Sequence, residues 1–219
     1  MLGKFFNRRK NLSVDQITFQ TFGWNLRDNT KTFRSWIKPG RTGFIGIEIY
    51  NEKYSCYPAS LTDIVQVERM QILEESNGGL IDCSINQVLG FDYIKVVLKE
   101  PQSPSGMSYH GTIIIPLAEH HVKIMINYKE VGVTGIREST IFPKWMMENP
   151  GFESDKNGKI IGWLTDPFDS GFREGNLMNF SEDIRFDKQF PSHPLSLVRN
   201  NLDEIISTIQ IDNDLERYR

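Results

Sequence analysis

The stretch LIDCSINQVLGFDYIKVVLKEPQSPSGMSYHGTIIIPLAEHHVKIMINY, residues 80–128, decides the fold. Four of its segments are rich in β-branched and aromatic residues: LIDCSI, FDYIKVVLKE, YHGTIIIP and HVKIMINY. The connections between them are short and carry glycine or proline, as turns and loops do. No helical pattern separates the segments, so the sequence predicts neighbouring strands that pair antiparallel.

Residues 16–57 and 60–75 extend this pattern upstream. The first range predicts further strands, because aromatic and β-branched residues recur there and Pro39-Gly40 interrupts them. The second range predicts a helix that Ser60 caps and that Asn77-Gly78-Gly79 ends.

The clearest helix covers residues 194–209. Pro194 suits the first helical position, with His193 or Ser192 as the cap. Its apolar residues share one face and should dock on the sheet: Leu195, Val198, Leu202, Ile205, Ile206 and Ile209. The last eight residues, DNDLERYR at 212–219, are expected to fray.

The predicted fold is of the α+β class, a mainly antiparallel sheet flanked by helices in an α/β/α sandwich. Residues 1–148 should form the core domain. Residues 149–219 should add an aromatic-rich extension and the C-terminal helix, packed on the core as one compact unit. Within the core domain, the sequence of residues 131–148 is compatible with either a helix or a loop, and Pro143 should limit any helix there.

Composition excludes several classes of protein. The net charge of −3 and the pI of about 5.9 argue against a nucleic-acid binder, whose surface is usually basic. No apolar run reaches the ~20 residues of a membrane span, and no secretory signal is visible. Two cysteines cannot build a disulfide framework, so the expected compartment is the cytoplasm, with both thiols reduced. Residues 1–10 are basic and are expected to be either a frayed terminus or a short membrane-surface tag.

Catalytic motifs are missing from the sequence. The spacing of the four histidines gives no metal-binding pair, and we predict neither a metal nor another cofactor. The alternative to a non-catalytic protein is a small hydrolase with a His/carboxylate site around His110, His120 and Glu119.

Residues 145–190 contain eight large aromatic residues. They either pack on the core or form a surface that binds a partner protein, where aromatic and arginine side chains concentrate binding energy. The second alternative predicts a partner-binding set, which comprises Trp163, Phe168, Phe172, Arg173 and Asp187.

Two stretches resemble known families. SYHGTIIIPLAEHHVKIMINYKEVGVTGIRES, with Glu130, Gly132, Thr134, Gly135 and Arg137, resembles small bacterial Mog1/PsbP-like α/β/α proteins. FDKQFPSHPLSLVRNNLDEI resembles a C-terminal signature of bacterial proteins of unknown function; its matched residues are Asp187, Phe190, Pro191, His193, Pro194, Leu195, Ser196 and Arg199.

This resemblance implies a non-catalytic binding, adaptor or assembly module whose partner is another protein. Its more specific forms are a bacterial toxin-immunity protein and a secretion adaptor. From the residues themselves, we expect Glu130, Thr134, Arg137, His193 and Arg199 to make fixed polar contacts. Arg137 should pair with Asp187 or Glu138 and so lock the extension onto the sheet.

Overall fold

The structure is a computed structural model and describes residues 12–57 and 60–218. The basic segment 1–10 therefore lies outside the described residues. The strands in chain order are β1 Ile17–Thr18, β2 Asn25–Asn29, β3 Phe33–Ile37, β4 Gly43–Tyr50, β5 Gly79–Val88, β6 Phe91–Pro101, β7 Met107–Pro116, β8 His121–Lys129, β9 Leu164–Thr165, β10 Met178–Asn179 and β11 Gln210–Ile211. The helices are α1 Leu61–Ser76, α2 Ile136–Glu148 and α3 Pro194–Thr208.

Seven strands of the described chain form one antiparallel sheet in the order β2-β3-β4-β8-β7-β6-β5. The predicted α+β sandwich is confirmed, because α3 packs on one face of this sheet and α1 on the other. The four strands predicted within residues 80–128 are β5 to β8, each joined to the next by a short connection.

The larger core lies between α3 and the sheet. Leu195, Val198 and Leu202 of α3 are fully buried against inward residues of β7 and β8 such as Ile113. Gly111 of β7 lets the helix approach, since a Cβ there would lie 2.6 Å from Leu202 Cδ1. Burial of large aliphatic side chains of this kind contributes about 1.5–3 kcal/mol each.

A smaller core holds α1 on β5 and β6. Ser60 caps the helix and forms a capping box with Asp63. The buried side chains of α1 are Ile64, Val65 and Ile72, which is the apolar stripe that the helical period requires.

Helix α2 passes through Pro143, although the sequence suggested that this proline would limit a helix. The expectation was wrong: the helix continues through Pro143, and the lost backbone bond would end on Ser139, an exposed residue where water can replace that bond. Gly135 begins the helix with φ of 70°, a left-handed conformation that glycine adopts without strain.

The extension between α2 and α3 has little regular structure. Strands β9 and β10 pair with each other, and two short 3₁₀ turns follow at Phe180–Glu182 and Ile184–Phe186. Beyond α3, β11 pairs with β1 and Leu215 is 1% exposed, so the expected fraying does not occur there. No helix among the described residues has the length and apolar character needed to cross a membrane.

Candidate functional site

Arg137 stands at the centre of a buried polar network that joins the loop before α2 to the segment before α3. Its side chain is 1% exposed. Nη1 donates to Asp187 Oδ1 at 2.8 Å and to Ser196 Oγ at 3.0 Å, while Nη2 donates to the Asp183 carbonyl at 2.9 Å and Nε to the Ser181 carbonyl. Of the two partners expected for Arg137, the structure shows Asp187.

Arg199 contacts the same carboxylate from α3. Its Nη1 lies 3.1 and 3.2 Å from the two oxygens of Asp187, and Nη2 donates to the Glu182 carbonyl at 2.9 Å. Both arginines use the planar fork of donors that a guanidinium provides. Two of the residues expected to make fixed polar contacts thus hold the extension through one aspartate and several carbonyls.

Lys99 and Glu182 form a second buried pair beside this network. Lys99 Nζ lies 2.7 Å from Glu182 Oε2, and the two side chains are 3% and 2% exposed. Tyr109 donates from its hydroxyl to Glu182 Oε1 at 2.9 Å. Burial, followed by the charge of Glu182, raises the pKa of Tyr109 well above its ordinary value, so this hydroxyl remains a donor.

Glu130 closes the loop that leads into α2. Its carboxylate accepts the backbone N–H groups of Met107 and Gly135, each at 2.9 Å, and lies 3.6 Å from His193 Nε2. Burial raises the pKa of Glu130, but the contact with His193 and the two N–H donors outweigh burial and lower that pKa. His193 caps α3 by accepting the Leu195 N–H at Nδ1, so the proton of the neutral ring is on Nε2 and faces Glu130.

A polar cavity of ≈ 170 Å³ lies among Lys99, Tyr109, Glu130, Glu182 and His193. The cavity has room for several water molecules. The charged groups around it pair with one another, and no cluster of three or more possible metal ligands occurs within residues 12–57 and 60–218. The arrangement therefore serves to fix the two segments relative to each other.

An apolar groove of ≈ 480 Å³ opens on the outer side of the same junction. One lip carries Val131, Val133 and Ile136, which are 67%, 77% and 51% exposed. The other lip carries Phe190 and Pro191, and the whole lining continues as Pro194, Leu197, Tyr128, Lys38 and Lys129. Single exposed apolar residues are common, but three of them line this one groove, which makes it a candidate binding surface.

Basic groups border one end of this groove. Lys38 Nζ lies 5.0 Å from the centre of the Tyr128 ring, and Lys129 is exposed beside it. Because of these two lysines, the groove can accept an apolar side chain that is accompanied by a carboxylate.

Thr134, which was expected to make a polar contact, is half-buried in the loop between β8 and α2, and its methyl carbon lies against Gly106.

The residues predicted to bind a partner are placed in different surroundings. Trp163 is 3% exposed inside an aromatic cluster, so its ring cannot meet a partner in this conformation. Phe172 stacks under Arg69 at 4.5 Å, and Arg173 pairs with Asp155. Asp187 belongs to the Arg137 network, and Phe168 alone of the five is clearly exposed, at 39%.

The aromatic cluster explains where most of the ring surface of the extension goes. Trp145 and Trp163 lie 5.5 Å apart between ring centres, and Phe142 lies 4.7 Å from Trp163. The remaining members of the cluster are Ile141, Ile160, Leu164, Phe180, Phe186 and Phe190. Of the two alternatives for these aromatics, packing therefore describes most of them.

The histidines do not assemble into the hydrolase site of the alternative prediction. His110 lies in β7 and pairs with Glu100 at 2.8 Å, whereas His120 and Glu119 lie in the turn after that strand. Six residues of strand separate His110 from Pro116, which places the turn about 20 Å away. Asn127 Nδ2 lies 3.0 Å from His110 Nδ1, so among the described residues both ring nitrogens face Glu100 or Asn127 and neither faces a nucleophile.

Neither the groove nor the Lys99–Glu182 pair was predicted from the sequence. Val131 and Val133 flank glycine in a turn, where no core requires them, and this was the signal available for the groove. The partners Lys99 and Glu182 are 83 residues apart in the chain, and no local pattern connects them.

No family model matches the chain, and no curated protein matches it. Among solved structures, the chain is similar to the Ran-binding protein Mog1p of Saccharomyces cerevisiae, with 11% identity and a TM-score of 0.42 over 91% of this chain and 96% of that one. It is also similar to the cyanobacterial PsbP of Synechocystis, with 11% identity and a TM-score of 0.40 over 63% of this chain and 91% of that one. A protein of unknown function from Pseudomonas aeruginosa matches at 11% identity and a TM-score of 0.35, over 57% of this chain and 83% of that one. The Mog1/PsbP-like resemblance of the sequence is thus found among solved structures as well, and it concerns the fold alone.

Proposed function

We propose that this chain is a non-catalytic protein-binding module that holds its partner in the groove between residues 131–136 and 190–197. The observation that carries the proposal is the exposure of Val131, Val133 and Ile136, at 67%, 77% and 51%, around one groove. Burying one such side chain against a partner contributes about 1.5–3 kcal/mol, enough for a specific contact.

The residues that line the groove indicate which side chains the partner should present. Its floor and lips are apolar, and Lys38 and Lys129 border one end. The partner should therefore insert a Leu-, Met- or Phe-like side chain and place an acidic residue next to it. The finer forms of the proposal are a cytoplasmic toxin-immunity protein and a secretion adaptor of a bacterium.

Capture from a lysate of the source cell, followed by quantitative mass spectrometry, tests this proposal with three chains. The wild type and an Ile184→Asp control should retain one stoichiometric protein, because Ile184 is 69% exposed but lies outside the groove. Val133→Asp should reduce that capture at least about tenfold, since one buried valine is worth more than 1.4 kcal/mol. A captured toxin would indicate an immunity protein, and a secreted cargo would indicate an adaptor.

The purified partner should then bind the wild type in calorimetry and lose affinity for Val133→Asp and, at low salt, for Lys129→Glu. Thermal unfolding of each variant must match the wild type, as expected for exposed positions. Equal capture by the wild type and Val133→Asp, or no stoichiometric partner at all, would show that this groove does not bind a protein.

A further inference from the structure

The face of the sheet that carries α1 is covered over only half of its width. Helix α1 packs on β5 and β6, and no helix of the described residues covers that face on β3, β4 and β8. A groove of ≈ 1080 Å³ runs beside α1 over these strands, larger than the groove at the 130–137 junction. Its floor includes the half-buried side chains of Phe44, Thr112 and Met125.

Charge is unevenly divided across this groove. The far rim and floor carry basic side chains, namely Arg27, Arg41, Lys123 and Lys129. The wall formed by α1 carries acidic and amide side chains, namely Glu68, Gln71 and Glu75. Between them the floor mixes apolar side chains with Glu100, His110 and Asn127. An occupant would thus meet basic groups on the side away from α1 and acidic groups on the side of α1.

The outward side of α1 has the complementary character. Val67 and Met70 are 41% and 44% exposed and lie three residues apart, so they form one apolar strip. Glu74 continues this strip one turn later and is exposed. Ile64 and Ile72 are buried against the sheet on the opposite side of the helix.

The step in height between the outer side of α1 and the uncovered strands also suits a second helix. A helix is about 10–12 Å in diameter, so the outer side of α1 stands about one helix layer above the uncovered strands. A helix of the same kind, laid beside α1, would therefore complete the layer. A two-fold axis gives each copy of a chain the same patch and lets residue i meet residue j twice.

We infer that a second copy of this chain occupies the groove, with α1 of each copy lying on the uncovered half of the other copy's sheet. Val67 and Met70 then meet Phe44 and Met125 of the floor, and Glu74 meets the basic side of the groove. Two α1 helices lie side by side between two sheets, and both uncovered faces are buried at once. This dimer does not rest on the proposed partner groove, with which its groove shares only Thr42 and Lys129.

Light scattering coupled to gel filtration, with sedimentation equilibrium across a range of concentrations, tests the dimer on the full chain. The wild type should have twice the chain mass of 25.3 kDa. Met70→Asp and Met125→Asp should each give the single-chain mass. Met146→Asp is the matched control, because Met146 is 38% exposed on α2, and this variant should stay dimeric.

Charge reversal separates a lost interface from a damaged fold. Glu74→Lys with Glu75→Lys should weaken the dimer, and so should Arg41→Glu with Lys123→Glu, since both of these basic residues line this groove and not the partner groove. All four changes in one chain should restore dimerisation, which a misfolded chain could not do. A wild type that keeps the single-chain mass at every concentration, a dimer that survives Met70→Asp, or a different protein held on this face by a monomer would each overturn the inference.

Discussion

Arg137→Ala tests the buried network most directly, and its effect can be worked out from the contacts. The guanidinium serves two backbone carbonyls, Ser196 and Asp187 while being 1% exposed. Removing one member of a buried ion pair costs about 3–5 kcal/mol. Asp187 keeps Arg199 as a partner, which offsets part of the loss, while each orphaned carbonyl adds about 1–3 kcal/mol. We expect the free energy of unfolding to fall by at least about 4 kcal/mol.

Urea unfolding followed by circular dichroism measures this change, and thermal unfolding should show a Tm lower by about 8–16 °C for a chain of this length. Arg185→Ala is the matched control, because Arg185 also pairs with an aspartate at 2.8 Å but its side chain is 58% exposed. Such a surface pair contributes at most about 1 kcal/mol. Arg137→Lys should fall between the two, because an ammonium keeps the charge but cannot reach all four acceptors. A loss below about 1 kcal/mol in Arg137→Ala would refute the reasoning, since it would mean that the network does not hold the extension.

Three further outcomes follow from other parts of the structure. Burial raises the pKa of Cys83 to about 12, so a thiol reagent should label half-buried Cys56 in the native protein and reach Cys83 after unfolding; fast native labelling of both, by mass spectrometry, would contradict the burial. Because the pKa of Glu130 is lower in the folded than in the unfolded chain, its contribution to stability is present above the unfolded value of 4.5 and is lost as pH falls through the folded value. Denaturation at several pH values should therefore show the difference between wild type and Glu130→Gln shrinking below pH 4.5, and a constant difference would argue against it. Gly79→Ala would place a Cβ 1.7 Å from a backbone oxygen of the extension and should lower Tm clearly, whereas Gly151→Ala meets nothing within 4 Å and should not.

The regular elements were predictable because their periods are visible in the sequence. The alternating strands of residues 80–128 and the apolar stripe of α3 each report one buried face. Pro143 misled the prediction for α2, because a rule about isolated helices could not show that Ser139 would be exposed to water. The fraying expected for residues 212–219 is not observed in residues 212–218, because Leu215 is buried in the core and the Ala118 N–H donates to the Tyr218 carbonyl, contacts between segments far apart in the chain.

The polar contacts were partly predictable and the binding groove was not. The pairing of Arg137 with Asp187 was predicted from their position among turns and aromatic residues, and in the structure the two side chains are hydrogen-bonded. Trp163 was predicted to bind a partner for the same reason, but it is buried. The prediction failed because an aromatic residue in a loop carries no local signal that separates a core position from a surface position. The groove forms between residues 131–136 and residues 190–197, which are about 60 positions apart in the chain. These residues come together only because the extension docks on the core.

The network and the groove are connected through neighbouring residues of one helical turn. Ile136 is 51% exposed and forms part of the groove lip, while Arg137, the next residue, turns inward and is 1% exposed. On the opposite lip, Phe190 lies in the chain between Asp187, which belongs to the network, and His193, which caps α3 and contacts Glu130. Each lip is therefore attached to a buried charged residue of the network. A change at Arg137 should consequently lower stability and partner binding together, whereas Val133→Asp should lower binding alone; if Arg137→Ala kept full binding below its unfolding temperature, the groove would not depend on the network.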